Sequence, residues 1–229
     1  MGILKNIFGK NAEVVEKIEP KVTEYFIDID PSSDSLSKAF EDFYQNHFVY
    51  AYGLSRNEVD TYFFDSMPEN EKEIAKRLIR QNLKLRQSHL FKAAGILKDE
   101  EALPILYDQL NTNTDLSWLL AIGQAIWRIN GDEIYSKLLR QLKKHSSDTM
   151  REAHFEQIVD LKNKESIEML FSYLNDESRL VQSMTLSKLN FLSAGKHEQK
   201  QRYDKEYFLI KKTDEKFKDG LLENLRKIK

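Results

Sequence analysis

A gap-free internal repeat in the middle of the chain restricts the fold more than any other feature of the sequence. Three fourteen-residue segments align with one another and begin 32 residues apart, at positions 97, 129 and 161. Each segment carries apolar residues at the three- and four-residue spacing that gives a helix one buried face. A helix of this kind cannot bury its apolar face alone, so we expect successive repeats to stack on one another.

Three aligned columns are apolar in every segment and mark the buried face of the repeated helix. They are Leu103, Tyr135 and Ile167; Leu106, Leu138 and Leu170; and Leu110, Leu142 and Leu174. A fourth column holds Glu101, Glu133 and Glu165 near each predicted helix start, where a carboxylate suits the exposed N–H groups and the helix dipole.

Another amphipathic stretch precedes each of these helices, so the repeat unit is predicted to be a helix pair. The predicted first helices cover residues 86–97, 116–129 and 150–161, and one more begins near residue 178. Small residues such as Ala93 and Ala125 allow neighbouring helices to approach closely.

The composition favours helices as well. The chain has 8 Gly and 4 Pro among 229 residues, about 5% together against about 12% in average proteins. Turns, β-bulges and hairpins consume both residues, so their scarcity favours an all-α fold. Cysteine is absent, which excludes disulfides, thiolate metal sites and cysteine nucleophiles. A net charge of −2 argues against a dedicated nucleic-acid binder.

Two stretches of the repeat resemble a known family. Residues 97–110 look like the junction and second helix of a HEAT repeat, and 174–181 look like the link to the next repeat. Pro104 matches the usual proline of that family, and it costs little in the first turn of a helix. The resemblance covers about residues 69–192 and is to the short HEAT-like repeats common in bacterial proteins. It implies a short right-handed α-solenoid that binds partners on a concave face lined by second helices.

The segments on either side of the repeats differ in charge. We expect an acidic, aromatic-rich helical cap over residues 1–68, HEAT-like repeats over 69–195 and a basic helical tail over 196–229. The cap is predicted to contain three helices, and its aromatic rings either are buried or line an acidic surface for a basic partner. The helices are expected near 11–27, near 34–53 with Ser33 or Asp34 as the N-cap, and near 56–66.

The basic tail is predicted to end in an amphipathic helix. Residues 196–229 contain 11 basic and 7 acidic residues, and the two signs alternate, so the field around the tail is weak. Asp214 is expected to cap the helix. Its apolar face is predicted to consist of Phe217, Leu221, Leu222, Leu225 and Ile228.

The titratable residues form no motif that indicates catalysis or metal binding. The five histidines, at positions 47, 89, 145, 154 and 197, are not three or four residues apart, and no His-Glu-x-x-His motif occurs. The glycines are scattered singly, so neither a phosphate-binding loop nor a Gly-x-Ser-x-Gly elbow is present. We therefore expect a non-enzymatic protein without catalytic, metal-binding or cofactor-binding residues.

One enzyme class remains as an alternative, because HEAT-like alkylpurine DNA glycosylases are similar in length and all helical. They read damaged DNA with Trp, Asp and Arg in a basic groove. Residues of these types are Trp118, Trp127, Asp115, Arg128 and Arg140. Both tryptophans lie among aliphatic residues of one predicted helix, which favours core packing. The acidic first third also opposes phosphate binding.

The outward stripe of the second helices is the predicted partner-binding surface. A basic centre flanked by apolar residues is the mixture that protein interfaces use. The stripe consists of Ile105, Asp108, Gln109, Lys137, Arg140, Gln141, Lys144, Met169 and Tyr173, with Thr112, Ser172 and Asp176 at its ends. The sequence therefore predicts that this protein binds another protein. Its role would be that of an adaptor or scaffold, or that of an intracellular inhibitor of the immunity type that blocks a toxin or another enzyme.

The sequence also bears on location. No stretch approaches the roughly 18 consecutive apolar residues of a membrane span. The first ten residues lack the unbroken apolar region of a secretory signal. We therefore expect a cytoplasmic protein without a membrane partner, whose oligomeric state the sequence does not indicate.

Overall fold

The computed structural model describes residues 25–29, 36–49, 62–145, 147–153, 155–194 and 203–228. These residues form helices joined by turns and short loops, and no strand occurs among them, which confirms the all-α prediction. The helices are α1 Lys38–Tyr44, α2 Tyr62–Ser66, α3 Glu69–Asn82, α4 Ser88–Ile96, α5 Leu103–Thr112, α6 Leu116–Asn130, α7 Ile134–Leu142, α8 Asp148–Ala153, α9 Phe155–Asp160, α10 Lys164–Tyr173, α11 Arg179–Ala194, α12 Lys205–Lys211 and α13 Glu215–Arg226. A π-helical turn, Gln45–Val49, follows α1 directly.

The chain divides into two compact units, residues 1–135 and residues 136–229. In the first unit, α4 and α6 form the main helix–helix contact, and α5 packs against α6. The core of this unit contains a cluster of buried rings from α1, the π turn and α2. Its members are Phe40, Phe43, Phe48, Phe63 and Phe64.

In the second unit, α10 is the central helix. It contacts α9, α11 and α13, and α13 also packs against α11. The buried positions of α10 therefore lie on more than one side of the helix. They are Ser166, Ile167, Met169, Leu170, Phe171 and Tyr173.

Most of the repeat helices begin and end close to the predicted positions. The first helices α4 and α6 agree with 86–97 and 116–129, and α11 begins at Arg179. The predicted helix over 150–161 is described as two segments, α8 and α9, with residue 154 outside the described ranges. Most of the predicted helix over 11–27 lies outside these ranges, and its described end, residues 25–27, is not helical. Of the predicted helix over 56–66, only the part that forms α2 is described.

Side-chain caps explain several helix starts. Asp214 accepts a hydrogen bond from the Phe217 backbone N–H at the start of α13, as the sequence predicts. Pro104 lies in the first turn of α5, where its missing N–H breaks no helical bond. For α1 the N-cap is Ser37 and not Ser33 or Asp34, which lie outside the described residues.

The described helices were also compared with the dimensions of a bilayer. Among them, none combines the length and the apolar character that a membrane-crossing helix requires.

Candidate partner-binding surface

The structure places four cations along α7 and the turn that follows it. Their side chains are exposed, while the opposite face of α7 contributes Leu138, Leu139 and Leu142 to the core. Arg140 lies in the last turn of α7 and Lys143 and Lys144 follow it, where the helix dipole favours positive charge. We call these four residues the α7 basic surface: Lys137, Arg140, Lys143 and Lys144.

Two contacts hold parts of the α7 basic surface in place. The Arg140 guanidinium donates a hydrogen bond to the carboxylate of Glu165 in the first turn of α10. The Lys143 ammonium lies 6.0 Å from the centroid of the buried Tyr173 ring, within range of a cation–π interaction. Glu165 therefore neutralises part of the charge of the α7 basic surface.

Four residues of the predicted outward stripe are in the core, so their predicted exposure is wrong. Met169 is 7% exposed and Tyr173 is fully buried, because α10 is packed by three helices and not by one neighbour on each side. Gln109 and Asp176 are also buried. Burial raises the pKa of the Tyr173 phenol, which stays protonated, and its oxygen has no hydrogen-bond partner among the described residues.

The remaining residues of the stripe lie in two separate units. In the first unit, Ile105 is half-buried and Asp108 is exposed on α5. In the second unit, Gln141 is half-buried beside the α7 basic surface. The stripe residues that the structure brings together on one helix are thus Lys137, Arg140, Gln141 and, just beyond its end, Lys144.

Two of the three aligned glutamates form ion pairs with an arginine of another helix, which the sequence did not indicate. The Arg80 guanidinium nitrogen lies 3.2 Å from a carboxylate oxygen of Glu101, and Arg140 forms an ion pair with Glu165. In both cases the arginine comes from a helix preceding the glutamate. Arg80 also binds Asp99 Oδ1 at 2.6 Å, yet burial outweighs this cation and raises the pKa of the Asp99 carboxyl.

The residues considered for a DNA glycosylase have structural contacts. Asp115 is the N-cap of α6, where its carboxylate accepts the backbone N–H groups of Ser117 and Trp118. The Trp118 ring packs edge-on against Phe91, and the Trp127 ring lies 5.7 Å from that of Tyr135. Both tryptophans are half-buried, so each ring packs only partly against the core.

A metal ion would require several His, Asp or Glu side chains close together. Within the described ranges, no group of three or more His, Asp or Glu side chains lies close enough to hold a metal ion. His154 and His197 lie outside those ranges. His47 and His89 are buried together in the first unit.

Comparison of the chain with protein-family models, with curated proteins and with solved structures returns no match. The HEAT-like resemblance therefore rests on the residues of the repeat alone.

Proposed function

We propose that this chain is a non-enzymatic HEAT-like repeat protein that binds an acidic protein partner through the α7 basic surface. The observation that carries the proposal is the amphipathic build of α7, which exposes Lys137, Arg140 and Lys144 over a buried apolar face. Its cellular role would be that of an adaptor or scaffold, or of an intracellular inhibitor. In a right-handed solenoid of HEAT-like pairs, α5, α7 and α10 would be the second helices.

Two features of the described residues support the repeat assignment. The central aligned column, Leu106, Leu138 and Leu170, is buried at every position. Each junction between a first and a second helix also contains a residue with positive φ: Lys98 at 49°, Gly131 at 78° and Lys162 at 44°. A left-handed residue ends a helix and turns the chain, so its recurrence matches a repeated helix–turn–helix unit.

The burial of Met169 and Tyr173 changes the expected chemistry of the partner. These residues would have been apolar anchors, and their place in the core leaves a surface dominated by lysine and arginine. Charged surfaces of this kind speed association with an oppositely charged partner and lose strength as salt screens the charges. We therefore expect an acidic partner and an affinity that falls with rising ionic strength.

We expect Lys137→Glu combined with Lys144→Glu to lower partner affinity at least about tenfold, because like charges would then face each other across the interface. Both side chains are exposed, so the thermal unfolding of the helices is expected to change little. Partners are first captured from a host lysate with the tagged chain. The dissociation constant of the purified partner is then measured for the wild type and the variant at two salt concentrations.

The matched control reverses two exposed lysines away from α7, Lys84 and Lys216, and changes the net charge equally. The proposal requires this control to retain the partner that the α7 variant loses. Arg140 is left unchanged in this test, since Arg140→Glu would place a second carboxylate beside Glu165. Equal retention by the α7 variant and the control would contradict the assigned surface.

The enzyme alternative is tested separately with duplex DNA that contains an alkylated purine. We expect no base excision. Excision that disappears in Asp115→Asn would establish the glycosylase and overturn the proposal. Asparagine caps helices as well as aspartate does, so this variant removes the carboxylate while keeping the start of α6.

A further inference from the structure

We propose that the buried pair His47 and His89 makes the attachment of residues 36–49 to α4 sensitive to acid. The pair lies in the first unit and is independent of the α7 basic surface. His47 belongs to the π turn after α1 and is fully buried, while His89 lies in the first turn of α4 and is 5% exposed. The two ring centroids are 5.6 Å apart.

The hydrogen bonds of the pair determine which nitrogen of each ring carries a hydrogen. His89 Nε2 lies 3.1 Å from the carbonyl oxygen of His47, and His47 Nδ1 lies 3.1 Å from that of Phe43. A carbonyl oxygen only accepts, so each of these nitrogens carries the hydrogen. The first bond joins α4 to a segment 42 residues earlier in the chain.

The remaining nitrogen of His47 has no place for a proton. Nε2 is buried and has no hydrogen-bond partner among the described residues. Its surroundings are aromatic: the His47 ring lies 4.8 Å from Phe43, 5.6 Å from Phe63 and 5.9 Å from Phe64. Protonation would create a buried donor without an acceptor and a cation in an apolar cluster, which is strongly unfavourable.

Among the described residues, the charged groups near the pair would not compensate a cation on either ring. From α4, Lys92 adds positive charge, and burial together with His89 and Lys92 lowers the pKa of His47 to about 3 from its usual 6.5. Burial also lowers the pKa of His89. On α3, Glu71 accepts hydrogen bonds from the Ser37 backbone and hydroxyl instead.

Among the described residues, the other carboxylates in this part of the chain pair with a basic side chain or are exposed. On α1, Glu41 and Asp42 both bind Lys38. Asp65 of α2 is exposed, and Asp28 of the first described segment pairs with Arg77.

The sign of the pH effect follows from the lowered pKa values. When residues 36–49 separate from α4, the imidazoles regain their usual pKa near 6.5. They then bind protons at pH values at which they stay neutral while the segment is attached. The free energy that holds residues 36–49 on α4 is therefore greatest above about pH 6.5, and it decreases as the pH falls towards about 3. For His47 alone, the opening equilibrium grows about 25-fold between pH 7 and pH 5, and His89 adds to this in the same direction.

The test is hydrogen exchange of the full chain at pH 7 and pH 5, followed by mass spectrometry and corrected for intrinsic exchange rates. We expect peptides covering residues 36–49 and 88–96 to lose protection by at least about 25-fold at pH 5, while peptides covering 164–192 change little. Equal losses in all of these regions, or no loss in 36–49, would overturn the proposal.

Variants assign the effect to the two imidazoles. His47→Phe with His89→Gln removes both titrations while retaining an aromatic ring and a donor, so its protection should be independent of pH. The control is His145→Gln, which removes a partly exposed histidine of the second unit and should behave as the wild type. If the double variant fails to fold, His89→Gln alone must still reduce the pH dependence. Wild-type behaviour in that variant and in the double variant contradicts the proposal.

Discussion

Replacement of Arg151 by methionine is expected to lower the free energy of unfolding by about 3–5 kcal/mol. Arg151 is 5% exposed and Asp176 is 8% exposed, and three nitrogen–oxygen contacts of 3.0–3.2 Å join them. Removing the arginine leaves the aspartate as an uncompensated buried charge. It also removes the hydrogen bond that Arg151 donates to the part-buried carbonyl oxygen of His145.

The measurement is urea unfolding followed by circular dichroism, with Arg140→Met as the matched control. Arg140 makes the same kind of pair with Glu165, but its side chain is 58% exposed, so its loss should cost at most about 1 kcal/mol. Adding Asp176→Asn to Arg151→Met should recover part of the stability, since no charge then remains buried. If the two arginine variants are destabilised equally, burial does not set the strength of the Arg151 pair.

The sequence could not predict this ion pair because its partners are 25 residues apart and each has a plausible local interpretation. Arg151 lies in a predicted first helix, and Asp176 was placed at the end of the outward stripe. The pair joins α8 to the turn that leads into α11, and Asp176 Oδ1 additionally accepts the Ser178 backbone N–H at 2.8 Å. Long-range pairing depends on how helices pack, which local patterns do not encode.

Features that depend on local physical chemistry were predicted well. The apolar column of Leu106, Leu138 and Leu170 is buried, and Asp214 caps α13. Both follow from rules that operate within one or two helical turns: the periodicity of a buried face and the need to satisfy free N–H groups. The repeat period and the helix bounds rest on the same rules.

The predicted binding stripe was less accurate because it assumed that each second helix has one buried face. That assumption holds for α7, where Lys137 and Arg140 are exposed. It is wrong for α10, because α13 packs on this helix in addition to α9 and α11. The apolar run from Met169 to Phe171 was the available indication, since three consecutive apolar residues cannot all lie on one face of a helix.

Gly95 lies where α4 contacts α6, and we expect Gly95→Ala to lower the free energy of unfolding by up to about 2 kcal/mol. A Cβ atom at Gly95 would lie 2.9 Å from Ala125 Cα and 3.4 Å from both Ala125 O and Arg128 Cβ. The nearest atom belongs to the backbone of α6, so the two helices must move apart and disturb the core around them. Such overpacking costs up to about 3 kcal/mol, which exceeds the roughly 1 kcal/mol that alanine contributes over glycine in a helix.

Gly220→Ala is the matched substitution, because Gly220 is also helical and no heavy atom lies within 4 Å of the added Cβ. Only the helix-propensity term then remains, and this variant should be more stable than the wild type by about 0.5–1 kcal/mol. Chemical unfolding of both variants therefore tests whether the free energy of unfolding falls in Gly95→Ala and rises in Gly220→Ala. A stabilising Gly95→Ala would mean that α4 and α6 do not approach as closely as the structure places them, because the same methyl group would then meet open space at both positions.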